Sequence, residues 1–419
     1  MPWRAAVGLL AAALAAACGR PPDSLTFSGS VLGAEGEIVR RQVARFEAEH
    51  GVRVEVRPTP DAADQRHQLY VQWLNAWSAD PDILQLDVVW TPEFAAAGWI
   101  RPVDEFRIAQ ETLADFFDAT LRANHWGGRL YAVPWFVDTG MLYWRTDLMS
   151  AAPASFAELN AAASRALAAG EVTAGFVWQG ARYEGLVTVF LEHLAGFGGA
   201  ILDENGTVVV ASPAGVRALT FMRDSIYRDR IVPEAVLTWQ EEQVRFAFQN
   251  GRAAFMRNWP YAAARLGRPG ESAVAGRFAV APMPREEGRS AAALGGAQLA
   301  INARSKQPEQ AWALLQYLTA PAQMLERAEV TGQFPSRRSL YGDPRLRDAL
   351  PIPPESARAI IERALPRPAT PVYSQLSGIL QIHLHRALTR QTPPEEALHA
   401  AADSMRRLLA TAGLAKEGS

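Results

Sequence analysis

The sequence has little cysteine, little lysine and no excess of charge of either sign. Cysteine occurs once in 419 residues, at Cys18, which excludes an internal disulfide and a cysteine metal cluster. Lys306 and Lys416 are the only lysines, arginine supplies the other positive charges, and the formal net charge is −2. A chain with neither a basic face nor an acidic tail is a poor candidate for nucleic-acid binding.

One apolar run is prominent at the N-terminus. It covers residues 5–17, follows Arg4 and ends in three alanines, and it is too short to span a bilayer comfortably. A charged start, an apolar centre and small residues at the end predict a secretory signal peptide over residues 1–17. The whole chain is 49% hydrophobic and 21% charged, as in ordinary globular proteins, and its length predicts two or three folding units.

Cys18 directly follows this apolar run. Its position resembles the lipobox of bacterial lipoproteins, in which the cysteine is acylated and becomes the mature N-terminus. The pattern departs from that family at one point, because Leu14 lies four residues before the cysteine and not three. Ordinary cleavage after Ala17 is the alternative and would leave a free thiol. We expect lipidation of Cys18, with residues 18–24 as a short tether.

Strand and helix patterns alternate from residue 25 onward, as they do in an open α/β sheet. This β-α-β-α-β order predicts a parallel sheet. Ligands bind beyond the carboxyl ends of the strands in such sheets, which places Glu35 and Asp87 at the same rim. The elements concerned cover, in order, residues 25–28, 38–46, 52–56, 62–78 and 83–90.

A second α/β region follows, and its most distinctive feature is a loop after the predicted strand 253–256. In this loop Trp259 and Tyr261 flank a proline, so both aromatic side chains are well placed to face a cleft. Helix patterns in this region and at the C-terminus cover residues 156–169, 186–194, 213–228, 240–249, 373–388 and 394–409.

Several segments together resemble a known family. They are DVVWTPEF at 87–94, VPWFVDTGMLYWR at 133–145, the segment 250–261, GGAQLAI at 295–301 and the stretch 368–377. On these segments, nearly the whole mature chain is similar to the family 1 extracellular solute-binding proteins of ATP-driven sugar importers. The spacing is most similar to the trehalose and maltose branch of that family.

The resemblance implies an α/β, two-lobe periplasmic binding protein fold of type II-like form. Each lobe would be a mainly parallel sheet flanked by helices, with the ligand cleft at the hinge and closure on the ligand as the switch. The implied division, after the signal peptide and tether, is lobe 1 over 25–135, lobe 2 over 136–290, a return to lobe 1 over 291–340, and C-terminal helices over 341–419 that belong mainly to lobe 2 and the hinge.

The resemblance also implies a binding site for a neutral sugar, which offers hydroxyls and apolar C–H faces but no charge. Carboxylates, an arginine fork and aromatic rings are the groups that suit such a ligand. Asp87 and Asp138 would each accept hydrogen bonds from a pair of hydroxyls, and Gly296 would let the backbone approach the sugar. The complete predicted set is Glu35, Arg66, Asp87, Asp138, Trp259, Tyr261, Gly296 and Arg367.

Two points in this predicted site stay open. Ala297 stands where the family often has a bulky aromatic after the paired glycines, so either a differently shaped sugar fills the space or Trp239 or Phe136 does. Arg363 competes with Arg367 as the ligand arginine, and Arg367 is preferred because it immediately precedes the matching segment.

The resemblance implies a monomeric binding protein and not an enzyme, with no cofactor or metal. Its partners would be a small sugar, a disaccharide such as trehalose or maltose that is bound without chemical turnover, and membrane permease subunits with ATPase subunits on the other side of the membrane. The chain would be lipid-anchored and face the periplasm or the cell exterior. Another solute, such as an oligosaccharide or a glycerol phosphodiester, is one alternative ligand. An exported glycosidase that uses the cleft carboxylates is a second alternative, and an iron or anion binder is a third.

Overall fold

The computed structural model describes residues 24–30, 33–60, 62–288, 290, 292–350 and 352–415. The predicted signal peptide and Cys18 lie outside the described residues. Across these ranges, no helix combines the length and the apolar character that a membrane span requires.

The strands of the described residues form two main sheets and one short hairpin. Numbered along the chain, they are β1 Ser24–Gly29, β2 Arg53–Pro58, β3 Ile83–Asp87, β4 His125–Trp126, β5 Arg129–Leu130, β6 Ala132–Thr139, β7 Met141–Arg145, β8 Ala174–Val177, β9 Ala253–Asn258, β10 Phe278–Ala281, β11 Leu294–Ile301 and β12 Phe334–Pro335. The first sheet has the order β12-β6-β11-β3-β1-β2, the second has the order β10-β7-β9-β8, and β4 pairs with β5.

Helices connect and cover these strands. They are α1 Gly33–His50, α2 Ala63–Asn75, α3 Thr91–Ala96, α4 Gln110–Ala114, α5 Asp118–Ala123, α6 Phe156–Ala168, α7 Glu184–Gly196, α8 Pro213–Tyr227, α9 Glu241–Gln249, α10 Tyr261–Leu266, α11 Pro308–Leu318, α12 Pro321–Thr331, α13 Pro344–Ala349, α14 Pro354–Glu362, α15 Tyr373–Leu388 and α16 Pro394–Thr411. Every residue of β1 and of β9 is buried, so each sheet has core on both of its faces.

The two-lobe α/β architecture is confirmed, but the expectation of mainly parallel sheets is wrong. In the first sheet β1 pairs parallel with β2 and β3, as the β-α-β-α-β pattern predicts, whereas β11 is antiparallel to both β3 and β6. In the second sheet β8 and β9 are parallel, and β7 is antiparallel to β9 and β10. The physical reason is the path of the chain, because β11 returns from the second lobe and enters the first sheet at the end of β3 that carries Asp87.

Within the described residues, the chain passes between the lobes at three places. Gly140 separates β6 of the first sheet from β7 of the second, and the segment 292–294 leads back into β11. The third passage lies beside the second, because the Leu294 amide donates to the Leu365 carbonyl at 2.8 Å and the Leu365 amide donates to the Ala292 carbonyl at 2.7 Å. After it, α15 packs on α7 and α8 of the second lobe. The residue-by-residue division expected from the sequence stays a prediction.

A buried ion pair lies where two of these passages meet. Glu192 on α7 and Arg257 on β9 are both fully buried, and the guanidinium donates to the carboxylate at 2.8 Å and 2.5 Å. The same carboxylate accepts the amide of Ala293 at 3.1 Å, which ties the returning segment to the pair. A Cβ added at Gly140 would overlap Glu192 Oε1 and crowd Arg257, so the outgoing passage needs glycine here.

We predict that Gly140→Ala destabilises the fold by on the order of 2–4 kcal/mol, since the methyl group must displace one member of a buried ion pair. Urea unfolding of the purified domain measures this change. Gly342→Ala is the matched control, because a Cβ there meets open space, and it should change the unfolding free energy by less than about 0.5 kcal/mol. Equal effects at the two glycines would contradict the assigned role of Gly140.

Candidate functional site

A cavity of about 640 Å³ lies between the two lobes. This volume is within the range that small-molecule sites occupy. Its walls come from α1, α2, β3, β6, β11 and α12 on the first side and from α7, α9 and α10 on the second. The structure brings all eight predicted site residues to this one cavity: Glu35, Arg66, Asp87, Asp138, Trp259, Tyr261, Gly296 and Arg367.

Asp87 and Arg367 are bound to each other at one side of the cavity. Asp87 is the last residue of β3, and its Oδ1 accepts from Arg367 Nη2 at 2.9 Å. The other terminal nitrogen of Arg367 donates to Glu184 Oε1 at 2.7 Å, so this arginine joins a carboxylate of each lobe. Burial opposes the charge of Arg367, but the neighbouring acidic groups outweigh it and raise the pKa of the guanidinium. Arg363 is exposed and is absent from the cavity wall.

Glu184 is a site residue that sequence reasoning missed. It begins α7, and its carboxylate also accepts hydrogen bonds from Tyr373 at 2.6 Å and from the Ser377 hydroxyl. An acidic residue in the first turn of a helix is common, because it interacts favourably with the helix dipole. No local signal therefore distinguished Glu184 from an ordinary helix start.

Asp138 and Glu35 form a second acidic part of the cavity wall, called the acidic wall below. Asp138 Oδ1 is buried and has no hydrogen-bond partner among the described residues. Burial raises the pKa of Asp138 to about 7, the negative charge of Glu35 adds to the shift, and the positive charge of Arg327 opposes it. Glu35 Oε1 accepts from Gln333 Nε2 at 3.0 Å, and its Oε2 lies 3.5 Å from Arg327 Nη2. Gln333 and Arg327 carried no motif that sequence analysis could recognise.

Trp259 and Tyr261 form an aromatic wall that α9 holds in place. The indole Nε1 of Trp259 donates to Glu241 Oε1 at 3.4 Å, and the Tyr261 hydroxyl donates to Glu242 Oε1 at 2.8 Å. The guanidinium carbon of Arg257 lies 3.9 Å from the centre of a Trp259 ring, a cation–π contact that supports the indole from behind. The buried ion pair at the hinge therefore also positions the aromatic wall.

At each of the paired glycines of β11, an added Cβ would meet different neighbours. Gly296 has φ +110°, and a Cβ there would overlap the Phe136 carbonyl oxygen of the adjacent strand, so the sheet itself requires glycine. A Cβ at Gly295 would lie 3.3 Å from both Trp259 and Asp138 and would narrow the space between them. Close approach of a ligand to Gly296 stays a prediction. Of the aromatics proposed to replace the one missing at Ala297, Phe136 lines the cavity and Trp239 does not.

Arg66 completes the predicted set on the first lobe. It lies in the first turn of α2 and is buried, and its Nη1 donates to the Pro60 carbonyl at 3.1 Å. The guanidinium carbon is 5.4 Å from the centre of a Trp90 ring. These contacts orient the side chain at the cavity wall.

Comparison with protein families and curated proteins gives matches along most of the chain. The family described as bacterial extracellular solute-binding protein matches residues 30–325. A probable ABC transporter-binding protein of Deinococcus radiodurans is 36% identical over 94% of this chain and 96% of its own length.

Solved structures match the whole two-lobe fold. The maltose-bound MalE3 of T. maritima is 42% identical, with a TM-score of 0.86 over 92% of this chain and 100% of that chain. The GacH receptor of Streptomyces glaucescens, solved unliganded and with acarbose, is 25% identical, with a TM-score of 0.82 over 92% of this chain and 98% of its own.

The site generates a prediction about the ligand-free protein. Between the ordinary aspartate pKa of 3.8 and the native value of about 7, the native state binds more protons at Asp138 than the unfolded state does. The contribution of Asp138 to the free energy of unfolding should therefore fall as pH rises through this window. We predict that Asp138→Asn removes this loss.

Urea unfolding at about pH 5 and about pH 8 measures the effect. The wild type should lose more stability between these pH values than Asp138→Asn does. The exposed Asp348 serves as the matched control, and Asp348→Asn should retain the wild-type pH dependence. Identical pH dependence in all three proteins would contradict the assignment.

Proposed function

Since this chain belongs to the bacterial extracellular solute-binding protein family, we propose that its cleft binds a small neutral sugar for an ATP-driven uptake transporter. A disaccharide such as maltose or trehalose is the first candidate. The observation that carries the proposal is the convergence of Asp138, Asp87 and Trp259 from both lobes on one cavity. The 42% identity to a maltose-bound protein over nearly the whole chain supports the choice of sugar.

The chemistry of the cavity suits hydroxyl-rich ligands. The buried Oδ1 of Asp138 is an acceptor without a partner in the described part of the chain, and a sugar hydroxyl is a donor that would satisfy it. Trp259 is half-buried at the cavity wall, where its ring can cover the apolar face of a sugar. Glu241 and Arg257 already hold this ring, so little conformational freedom is lost when the ligand binds.

Binding by closure follows from the division of the site between lobes. A ligand that contacts both walls at once stabilises the arrangement in which the walls are close together, and it therefore shifts the protein toward its closed form. Membrane permease subunits, as separate chains, would recognise that form, with the ATPase subunits on the other side of the membrane. We propose that the protein acts as a monomer and releases the sugar chemically unchanged.

The proposed location is the outer face of the cell membrane, with Cys18 acylated as the anchor. We predict that Cys18→Ser releases the protein from the membrane fraction of expressing cells, because acylation requires the thiol. Fractionation with labelled palmitate measures both properties. An unmodified Cys18 at the mature N-terminus, seen by mass spectrometry of the wild type, would contradict the anchor and would favour ordinary cleavage after Ala17.

The sugar proposal is tested by calorimetric titration of the mature domain with maltose and trehalose. We expect binding at micromolar concentration or tighter, about −8 kcal/mol or better. Trp259→Ala should weaken it by roughly 1–3 kcal/mol and remove much of the ligand-induced fluorescence change, because the stacking face is lost. Trp77→Ala is the control, since Trp77 is 67% exposed and outside the cavity wall.

Three outcomes of this titration are informative. Equal behaviour of the two tryptophan variants would contradict the placement of the ligand at Trp259. Absence of binding by both disaccharides would contradict the sugar proposed here and direct the search to oligosaccharides and glycerol phosphodiesters. Chromatography of the titrated samples should recover intact disaccharide, whereas monosaccharide products would favour the glycosidase alternative.

A further inference from the structure

A buried arginine lies behind the acidic wall of the cavity. Arg327 on α12 is 1% exposed, and its guanidinium carbon lies 3.9 Å from the centre of a Trp135 ring and 4.6 Å from that of Phe136. Its Nε donates to Gln333 Oε1 at 2.8 Å. Nη1 and Nη2 have no hydrogen-bond partner within the described residues.

The charge of Arg327 is directed at the two acidic residues of that wall. Nη2 lies 3.5 Å from Glu35 Oε2, and Gln333 connects the same two residues, because it accepts from Arg327 and donates to Glu35 Oε1 at 3.0 Å. Asp138 interacts electrostatically with both Glu35 and Arg327. Glu35, Asp138 and Gln333 line the cavity, whereas Arg327 acts from behind them.

Burying the charge of Arg327 in this way costs free energy, and a side chain with a purely structural role would not need a charge. A guanidinium enclosed by aromatic rings, with two nitrogens that make no hydrogen bond among the described residues, carries a desolvation cost that an apolar side chain of similar volume would avoid. The cost is visible in the pKa of Arg327, which burial lowers to about 10 although Glu35 and Asp138 oppose the change. A role in binding gives a reason for a cation at this position.

We propose that Arg327 is a positioning residue for the ligand: its charge favours the ionised form of Asp138 beside Glu35, so that Asp138 accepts a sugar hydroxyl and affinity depends on pH. This inference rests on the proposed sugar-binding function for its ligand. The charged groups that face Asp138 are Glu35 on α1, Asp87 on β3, Arg257 on β9 and Arg327 on α12. The two acidic residues oppose ionisation of Asp138, and the two arginines favour it.

The direction of the pH effect follows from the acceptor chemistry. An ionised carboxylate offers acceptor sites on both oxygens, and protonation converts one of them to a donor. Affinity therefore rises with pH as Asp138 ionises. If only the ionised form binds, the apparent dissociation constant scales inversely with the ionised fraction, which gives about a tenfold gain between about pH 6 and pH 8 for a group that titrates near 7.

The test is calorimetric titration with maltose from about pH 5.5 to about pH 9. In Arg327→Met a favourable charge is lost, so the midpoint of the affinity profile should move to higher pH and binding should recover in alkaline buffer. In Glu35→Gln an unfavourable charge is lost, so the midpoint should move to lower pH. Arg327→Lys should keep the wild-type midpoint, and Asp138→Asn should have a flat profile.

Arg337→Met is the matched control for the removal of a buried arginine. Arg337 is also buried, lies over Phe116 at 4.4 Å and pairs with Asp115, and it is outside the wall of the main cavity. This variant should leave the midpoint unchanged. A uniform loss of affinity at every pH in Arg327→Met, or a shift of Arg327→Met and Glu35→Gln in the same direction, would overturn the proposal.

A second measurement separates this inference from the proposed function. The carboxyl ¹³C resonance of Asp138, assigned with Asp138→Asn, reports its titration in the ligand-free protein. Opposite shifts of the titration midpoint in Arg327→Met and Glu35→Gln would support the charge cluster even if maltose does not bind, and unchanged midpoints would overturn it. If Arg327→Met fails to fold, Arg327→Gln provides the same test, because it removes the charge and keeps a polar side chain at this position.

Discussion

The buried ion pair between Glu192 and Arg257 is the interaction on which the rest of the structure depends. Two full charges without solvent exposure are costly unless each is matched closely, and here a forked guanidinium meets a carboxylate with two hydrogen bonds. Glu192 also binds the amide of Ala293, and the pair leaves no room for a side chain at Gly140. One charge pair therefore fixes two of the three passages between the lobes and, through Arg257, the indole of Trp259.

Buried arginine recurs around the cavity because its geometry suits this kind of wall. Arg257, Arg327 and Arg367 are each nearly or fully buried, and each lies against an acidic residue and an aromatic ring. A planar guanidinium can bind a carboxylate in its plane while a ring covers its face, which the ammonium group of lysine cannot do equally well. Such walls are rigid, and they present carboxylates to the ligand with their orientation already set.

The sequence predicted the residues that line the cavity better than it predicted what holds them. All eight predicted residues reach the cavity, and all but Glu35 and Arg66 lie in or beside the segments that resemble a known family. Glu184, Glu192 and Arg327 were missed, since their partners lie far away along the chain. Arg257 is 65 residues from Glu192, and Arg367 is 183 residues from Glu184. Periodicity reports the face of one element and carries no information on such pairings.

The same limit explains the error in sheet direction. The order β-α-β-α-β determines a parallel arrangement for β1, β2 and β3, because each crossover is local. The direction of β11 depends instead on where the chain re-enters the first sheet after about 150 residues in the other lobe. That point of entry is set by the hinge, and the contacts that define the hinge are long-range.

Long-range contacts also tie the two lobes together along one side of the cleft. Arg367 joins Asp87 of the first lobe to Glu184 of the second, and nearby the Ser374 hydroxyl of α15 donates to Glu93 of α3 at 2.7 Å. The lobes are therefore already tied by charged and polar groups along this side. Asp138 offers an acceptor without a hydrogen-bond partner among the described residues, and β11 separates its strand from that of Asp87, so a ligand that binds Asp138 adds a contact that these ties do not supply.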